Sequence, residues 1–250
     1  MHRSTSILTA AFVAVAAAAG AQTGAPALSA MQLAIACAPP PTLEGEPGKA
    51  RHIVGGQDSV RRTTFGRGEL VTLDGGKDAG VQPGAQFFVR RANRFAMHGP
   101  GHGQGATTLG WLHVVAVNDS TAVAQVDHAC GAVIANDYLE PFVAPAPPAG
   151  IDSVDAAGEP DFGALGRIIN GAEGRSTLGG GDFALIDRGS EQGVAPGQRL
   201  AIYRDVRVSG LPLASIGEAV VISAGDSVSL ARIIRARDAV LGGDFIAPRK

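Results

Sequence analysis

Apolar residues along this chain fall in short runs bounded by glycine, proline, asparagine or aspartate, and nowhere do they hold an amphipathic helical period for long. Leu70-Val71-Thr72-Leu73 and Phe87-Phe88-Val89 flank Gln82-Pro83-Gly84-Ala85, and Phe183-Ala184-Leu185-Ile186 and Leu200-Ala201-Ile202-Tyr203 flank Ala195-Pro196-Gly197-Gln198. Proline presets φ near −65° and the following glycine accepts positive φ, so each of these is a type II turn between two strands. Farther on, alternation predicts a hairpin in each half. Leu112, Val114 and Ala116 face inward with Ala122, Ala124 and Val126, as do Ala219, Val221 and Ser223 with Ser229, Ala231 and Ile233. Gln125, Asp127 and Arg232 mark the solvated face, which Ile234 interrupts. Asn118-Asp119 and Gly225-Asp226 are expected to take the positive φ of two-residue hairpin turns. Phe162 to Ile169 is the one place where a helical turn is expected.

The two halves are the same pattern written twice. The segment from Gly66 to Arg91 aligns without a gap on that from Gly179 to Arg204, at an offset of 113 residues (Gly68 to Gly181). A second block, from Gly110 to Pro141, aligns on Gly217 to Pro248 at an offset of 107 (Asp137 to Asp244), so the copies differ in the loop between blocks. Upstream, Arg51-His52-Ile53-Val54-Gly55 aligns with Arg167-Ile168-Ile169-Asn170-Gly171. Coincident glycines, turn residues and apolar positions define β module 1, residues 51–142, and β module 2, residues 166–250. About five short strands at turn-rich spacing in each predict an all-β protein of two tandem small antiparallel β-barrels. A Pro/Gly-rich linker, residues 143–165, joins them, and residues 22–50 form an Ala/Pro-rich arm, expected to be irregular or partly disordered and tied down only if Cys37 reaches Cys130.

The N-terminus changes where this protein is expected. A weakly basic Met1-His2-Arg3, an apolar run from Ile7 to Ala19 and Ala19-Gly20-Ala21 match a signal peptide over residues 1–21, too short to be a membrane span. The expected location is periplasmic or secreted, with no transmembrane segment after cleavage. In an oxidising compartment Cys37 and Cys130 are expected to form a disulfide, worth about 4–5 kcal/mol for so long a loop in the chain-entropy model. Lipidation of Cys37, which follows Leu33-Ala34-Ile35-Ala36, is the alternative.

Several features together resemble the Src-homology-3-like envelope modules: Gly181-Asp182-Phe183, then Gly193-Val194-Ala195-Pro196-Gly197, a strand ending in Arg204, a valine-rich hairpin, and Gly243-Asp244-Phe245. The C-terminal domain of the flagellar assembly T protein and repeats in LysM-containing exported proteins are of this type. Copy one carries the weaker equivalents Gly68-Glu69-Leu70 and Asn136-Asp137-Tyr138. The resemblance implies small barrels used for binding or assembly, and it rests on turn residues, which specify fold rather than ligand.

Composition narrows the chemistry. Net charge is −2, without the basic stripe of a nucleic-acid binder, and 35 glycines with 5% aromatics describe turns around an aliphatic core. Ile53-Val54-Gly55-Gly56 and Gly225-Asp226-Ser227 resemble serine-protease fragments, but the histidine and glycine context of a triad is missing. Gly75-Gly76-Lys77 lacks the earlier glycine and following hydroxyl of a phosphate loop. His98 and His102 share a Gly/Pro loop and are weak metal candidates, two imidazoles where zinc wants three or four ligands. No cofactor and no catalytic residue is expected. Trp111 aligns with Glu218, so the fold does not require an aromatic there; with Phe88, Arg90 and Arg91 it forms a candidate ligand patch, and packing of Trp111 against the Cys37 arm is the alternative. Arg61-Arg62 is a further basic pair, read as solubilising or as facing an anionic polymer. The reading is a non-enzymatic exported envelope protein that binds a cell-wall polymer or another envelope protein. A metal-dependent hydrolase on His98 and His102, or a structural spacer, is the alternative.

Overall fold

The structure, a computed structural model, describes residues 28–96, 102–151 and 158–250. One helix, α1 (Ala30–Cys37), precedes the first barrel. Its strands follow in order: β1 (Arg51–Gly56), β2 (Thr64–Phe65), β3 (Leu70–Leu73), β4 (Gln86–Ala96), β5 (His102–Val117), β6 (Ala122–Ala129), β7 (Val133–Ile134) and β8 (Tyr138–Pro141). The second copy repeats them as β9 (Gly166–Gly171), β10 (Thr177–Leu178), β11 (Phe183–Ile186), β12 (Arg199–Arg204), β13 (Ala214–Ala224), β14 (Ser229–Ala236), β15 (Val240–Leu241) and β16 (Phe245–Pro248).

Six antiparallel strands close each barrel, in the order β1-β3-β6-β5-β4-β8 and, equivalently, β9-β11-β14-β13-β12-β16. The short pairs β2–β7 and β10–β15 stand beside them. More strands form than the sequence pattern gave, because two-residue strands leave almost no periodic signal. The register repeats as well. Val71 faces Ala124 as Ala184 faces Ala231, and Val89 faces Leu139 as Ile202 faces Ile246. The first strand corrects the alignment by one residue. The His52 and Arg167 amides both donate to an aspartate at 2.6 Å (Asp74 and Asp187), so His52 is the counterpart of Arg167.

Each barrel is filled by its own side chains. Ile53, Leu73, Val89, Leu112, Val114, Ala124 and Val126 fill the first, and Ile168, Ile186, Leu200, Ile202, Val221, Ile233 and Ile246 fill the second. Ala116 was expected inside but is exposed. A bulge between Val114 and Ala116 advances the pleat by one, and Val117 packs on the core instead. Both Pro-Gly turns form as expected, with Gly84 and Gly197 at φ 82° and 87° and the Ala85 and Gln198 amides bonded three residues back. The hairpin turns are shifted by one. Asn118 and Gly225 donate to Thr121 and Val228, which centres the turns on Asp119-Ser120 and Asp226-Ser227, and neither Asn118 nor Asp119 takes positive φ. A 3-10 turn lies over each hairpin. Lys77 and Asp78 donate to the Asn118 and Asp119 carbonyls, and Ser190 and Glu191 to those of Gly225 and Asp226. Gly76 and Gly189 permit this approach, since a Cβ at either would meet a turn carbonyl oxygen at 2.4 or 2.3 Å. Phe162–Ala164 forms the expected helical turn.

Candidate functional site: the seam between the barrels

Part of the arm is helical: α1 spans Ala30–Cys37, while residues 38–50 hold no helix or strand, as expected of an irregular arm. Ser29 and Gln32 close a capping box, the Gln32 amide donating to Ser29 Oγ at 3.2 Å and the Ser29 amide to Gln32 Oε1 at 3.0 Å. The prolines at 39–41 then end the helix. Between cap and prolines, α1 is apolar on two opposite sides. Leu33, Ala36 and Cys37 pack with Phe88, Trp111, Cys130 and Phe142 on the first barrel. Met31, Ile35 and the following Ala38 pack with Phe183, Leu185, Val220, Ile222 and Leu230 on the second. A helix covered on both sides has no polar stripe, and so it gives no amphipathic period.

The two barrels meet α1 with different walls, although they share one topology. Phe183, Leu185 and Ile222 are buried on the outside of the second barrel, whereas their first-copy counterparts Leu70, Thr72 and Val115 are exposed or half-exposed. Ile234, out of pattern as a solvated residue, belongs to this apolar wall. Conversely, Trp111 and Phe88 build the seat on the first barrel. Trp111 is 7% exposed and stacks on His128, with ring centroids 4.5 Å apart and planes 13° from parallel. Its counterpart Glu218 instead pairs with Arg249 at 3.0 Å and Arg235 at 3.4 Å.

Cys37 and Cys130 are joined in a disulfide across 93 residues of sequence, fixing the end of α1 to the first barrel. Lipidation of Cys37 is incompatible with this bond. A polar relay reinforces the junction: Thr108 Oγ1 donates to the Ala38 carbonyl at 2.9 Å and accepts from Arg90 Nη1 at 3.2 Å. Arg90 lies 2.7 Å from Glu140 as an ion pair and 4.7 Å from the Phe88 ring centroid. Burial lowers its pKa, against the pull of Glu140. Burial also pushes the neighbouring Tyr138 hydroxyl up to about 12, with Glu140 adding to it. His52 ties the arm's far end, its ring 2.6 Å from Glu46 and 3.1 Å from Asp74. Partial burial lowers its pKa, but those two carboxylates outweigh it and the net shift is upward.

Of the four residues of the candidate patch, Trp111, Phe88 and Arg90 are therefore brought together, but beneath α1. Trp111 packs against the Cys37 arm, the alternative expected for it, and Phe88 packs there with it. Arg91 lies apart, holding the buried Asp137. His98 lies outside the described residues, as does the His102 side chain; the His102 backbone opens β5. Residues 1–21, expected to form a signal peptide, also lie outside them.

Away from α1, other surfaces among the described residues are open. A crevice of about 510 Å³ beside β1 is lined by Val54, Asp58, Val60, Arg61 and Arg62, and a second apolar group, Val206, Val208 and Leu211, tips the β12–β13 connection. Compared with known proteins, the chain matches no protein-family model and no curated sequence.

Proposed function

We propose that this chain is an exported cell-envelope protein whose tandem barrels serve binding or assembly, not catalysis. The Cys37–Cys130 bond is the observation that carries the export half of this reading, since such bonds persist in oxidising compartments. It fits the N-terminal signal pattern, and among the described residues no helix is long and apolar enough to cross a membrane. Two closed six-stranded antiparallel barrels in tandem are consistent with the Src-homology-3-like modules that the sequence resembles. Because both barrels are filled by side chains, ligands are left to their outer walls and loops. The crevice carrying Arg61 and Arg62 is the open surface best suited to an anionic cell-wall polymer.

Two assays on the full chain test this. Cell fractionation with thiol alkylation should find the protein outside the cytoplasm with both cysteines oxidised; a reduced, cytoplasmic protein would overturn export. Co-sedimentation with purified peptidoglycan should retain the protein, and Arg61→Glu should weaken that retention. Failure to sediment, with no envelope protein captured by crosslinking, would leave only a spacer role.

A further inference from the structure

His128 lies near the end of β6 and Cys130 just past it; a bulge at Asp127 reverses the pleat after the inward Val126, so Ala129 packs on the core and His128 and Cys130 lie on the outer side of the barrel. Cys37 reaches the same point from the end of α1. The ligand-capable atoms of Cys37, Cys130 and His128 all lie within 4.8 Å of one another. A crevice of about 220 Å³ opens beside both cysteines, bounded by Thr107 and Thr108 from one barrel and Arg175 from the other. Two thiolates, one imidazole and open space on the fourth side make the donor set of an open zinc site.

We propose that the seam holds a site with two exclusive states: a disulfide when oxidised, and a Cys37–Cys130–His128 site for a thiophilic divalent cation, Zn²⁺, when reduced. A dithiol reductant supplies two electrons and two protons to the S–S bond and leaves as its own disulfide. Cys37 and Cys130 become thiols. Zinc then displaces both thiol protons to solvent and takes a lone pair from the neutral His128 ring. Zn–S bonds of about 2.3 Å and a Zn–N bond of about 2.0–2.1 Å are met by side-chain rotation from the present spacing. Stacking on Trp111 fixes the orientation of the imidazole ring. The fourth position faces the crevice and takes water. In this state the metal replaces the covalent link between arm and barrel.

The test uses the full chain, reduced with a phosphine (which takes oxygen from water and leaves as its oxide), freed of reductant and kept without air. Bound zinc is counted by elemental analysis, and Co²⁺ is titrated for sulfur-to-cobalt charge-transfer absorption and for quenching of Trp111. The reduced chain should bind one zinc, and the oxidised chain none. Cys130→Ser should abolish the charge-transfer band, and His128→Ala, which leaves both thiols in place, should weaken binding at least tenfold. Failure of the reduced chain to bind, uptake unchanged in His128→Ala, or equal uptake by the oxidised chain would each overturn the proposal.

Discussion

Arg91 grips Asp137 with two parallel hydrogen bonds, Nε to Oδ1 at 2.7 Å and Nη2 to Oδ2 at 3.0 Å, and the second copy repeats the pair as Arg204 and Asp244 at 2.8 and 2.7 Å. In each, the aspartate also accepts a backbone amide, Ile134 or Leu241, and the arginine also donates to a carbonyl, Ala132 or Ala239. Asp137 is 1% exposed and Asp244 5%, so these carboxylates depend on their arginines. The Asp244 carboxylate raises the Arg204 pKa in turn. Asn136 and Gly243, at φ 70° and 94°, turn the chain just before each aspartate.

Removing either arginine leaves a buried carboxylate short of donors. Arg91→Met and Arg204→Met should each cost about 1–3 kcal/mol, kept below the fully buried case because the arginines are partly exposed. Denaturant unfolding checks this; loss in one copy alone would contradict the equivalence of the barrels.

Trp111 belongs to the seam. Trp111→Ala should cost about 3–5 kcal/mol, as for a buried aromatic. At the equivalent position of the second copy, Glu218→Ala removes only two partly exposed ion pairs and should cost roughly 1 kcal/mol or less. Comparable losses in the two variants, read by thermal unfolding, would contradict the asymmetric use of the walls.

Opening the disulfide should loosen the arm before it unfolds the barrels. Cys37→Ser should lower stability by about 2–5 kcal/mol. It should also speed proteolysis within residues 38–50, while the far-UV β spectrum persists. Unchanged cleavage of this segment would show that the covalent link does not hold it.

His52 makes the arm's far end sensitive to pH. Its folded pKa is raised above the ordinary 6.5, so the clamp on Glu46 and Asp74 is fully present below about pH 6.5. It is lost as pH rises through the raised value. Hydrogen exchange at residues 44–52 should therefore be slower below that pH than above it, after correction for intrinsic rates, and His52→Gln should remove the difference. A slope of opposite sign would refute the clamp.

The barrels were readable in the sequence because their signals are local. Pro83-Gly84 and Pro196-Gly197 fix turns, and alternation at Leu112, Val114, Ala124 and Val126 fixes the inner face. Alternation does not reveal the bulge before Ala116, and at β1 a short apolar strand matches its copy in more than one register, one of them off by one. The helix within the arm, Ala30–Cys37, is hidden in the sequence for a different reason. Burial on both sides of α1 erased the period that would have marked a helix, although Ser29-x-x-Gln32 was a capping box in plain view. Ile234 and Trp111 were the visible signs of an unseen partner: an apolar residue on a solvated face, and an aromatic absent from the sister copy.

The sole tryptophan, Trp111, reports directly on whether α1 occupies the seam. Acrylamide quenching of its fluorescence in the native, oxidised protein should be weak, and it should rise sharply once the chain is reduced without metal and the arm is cut away by protease. Strong quenching in the native protein would mean that the ring is open to solvent and that the helix does not lie between the barrels.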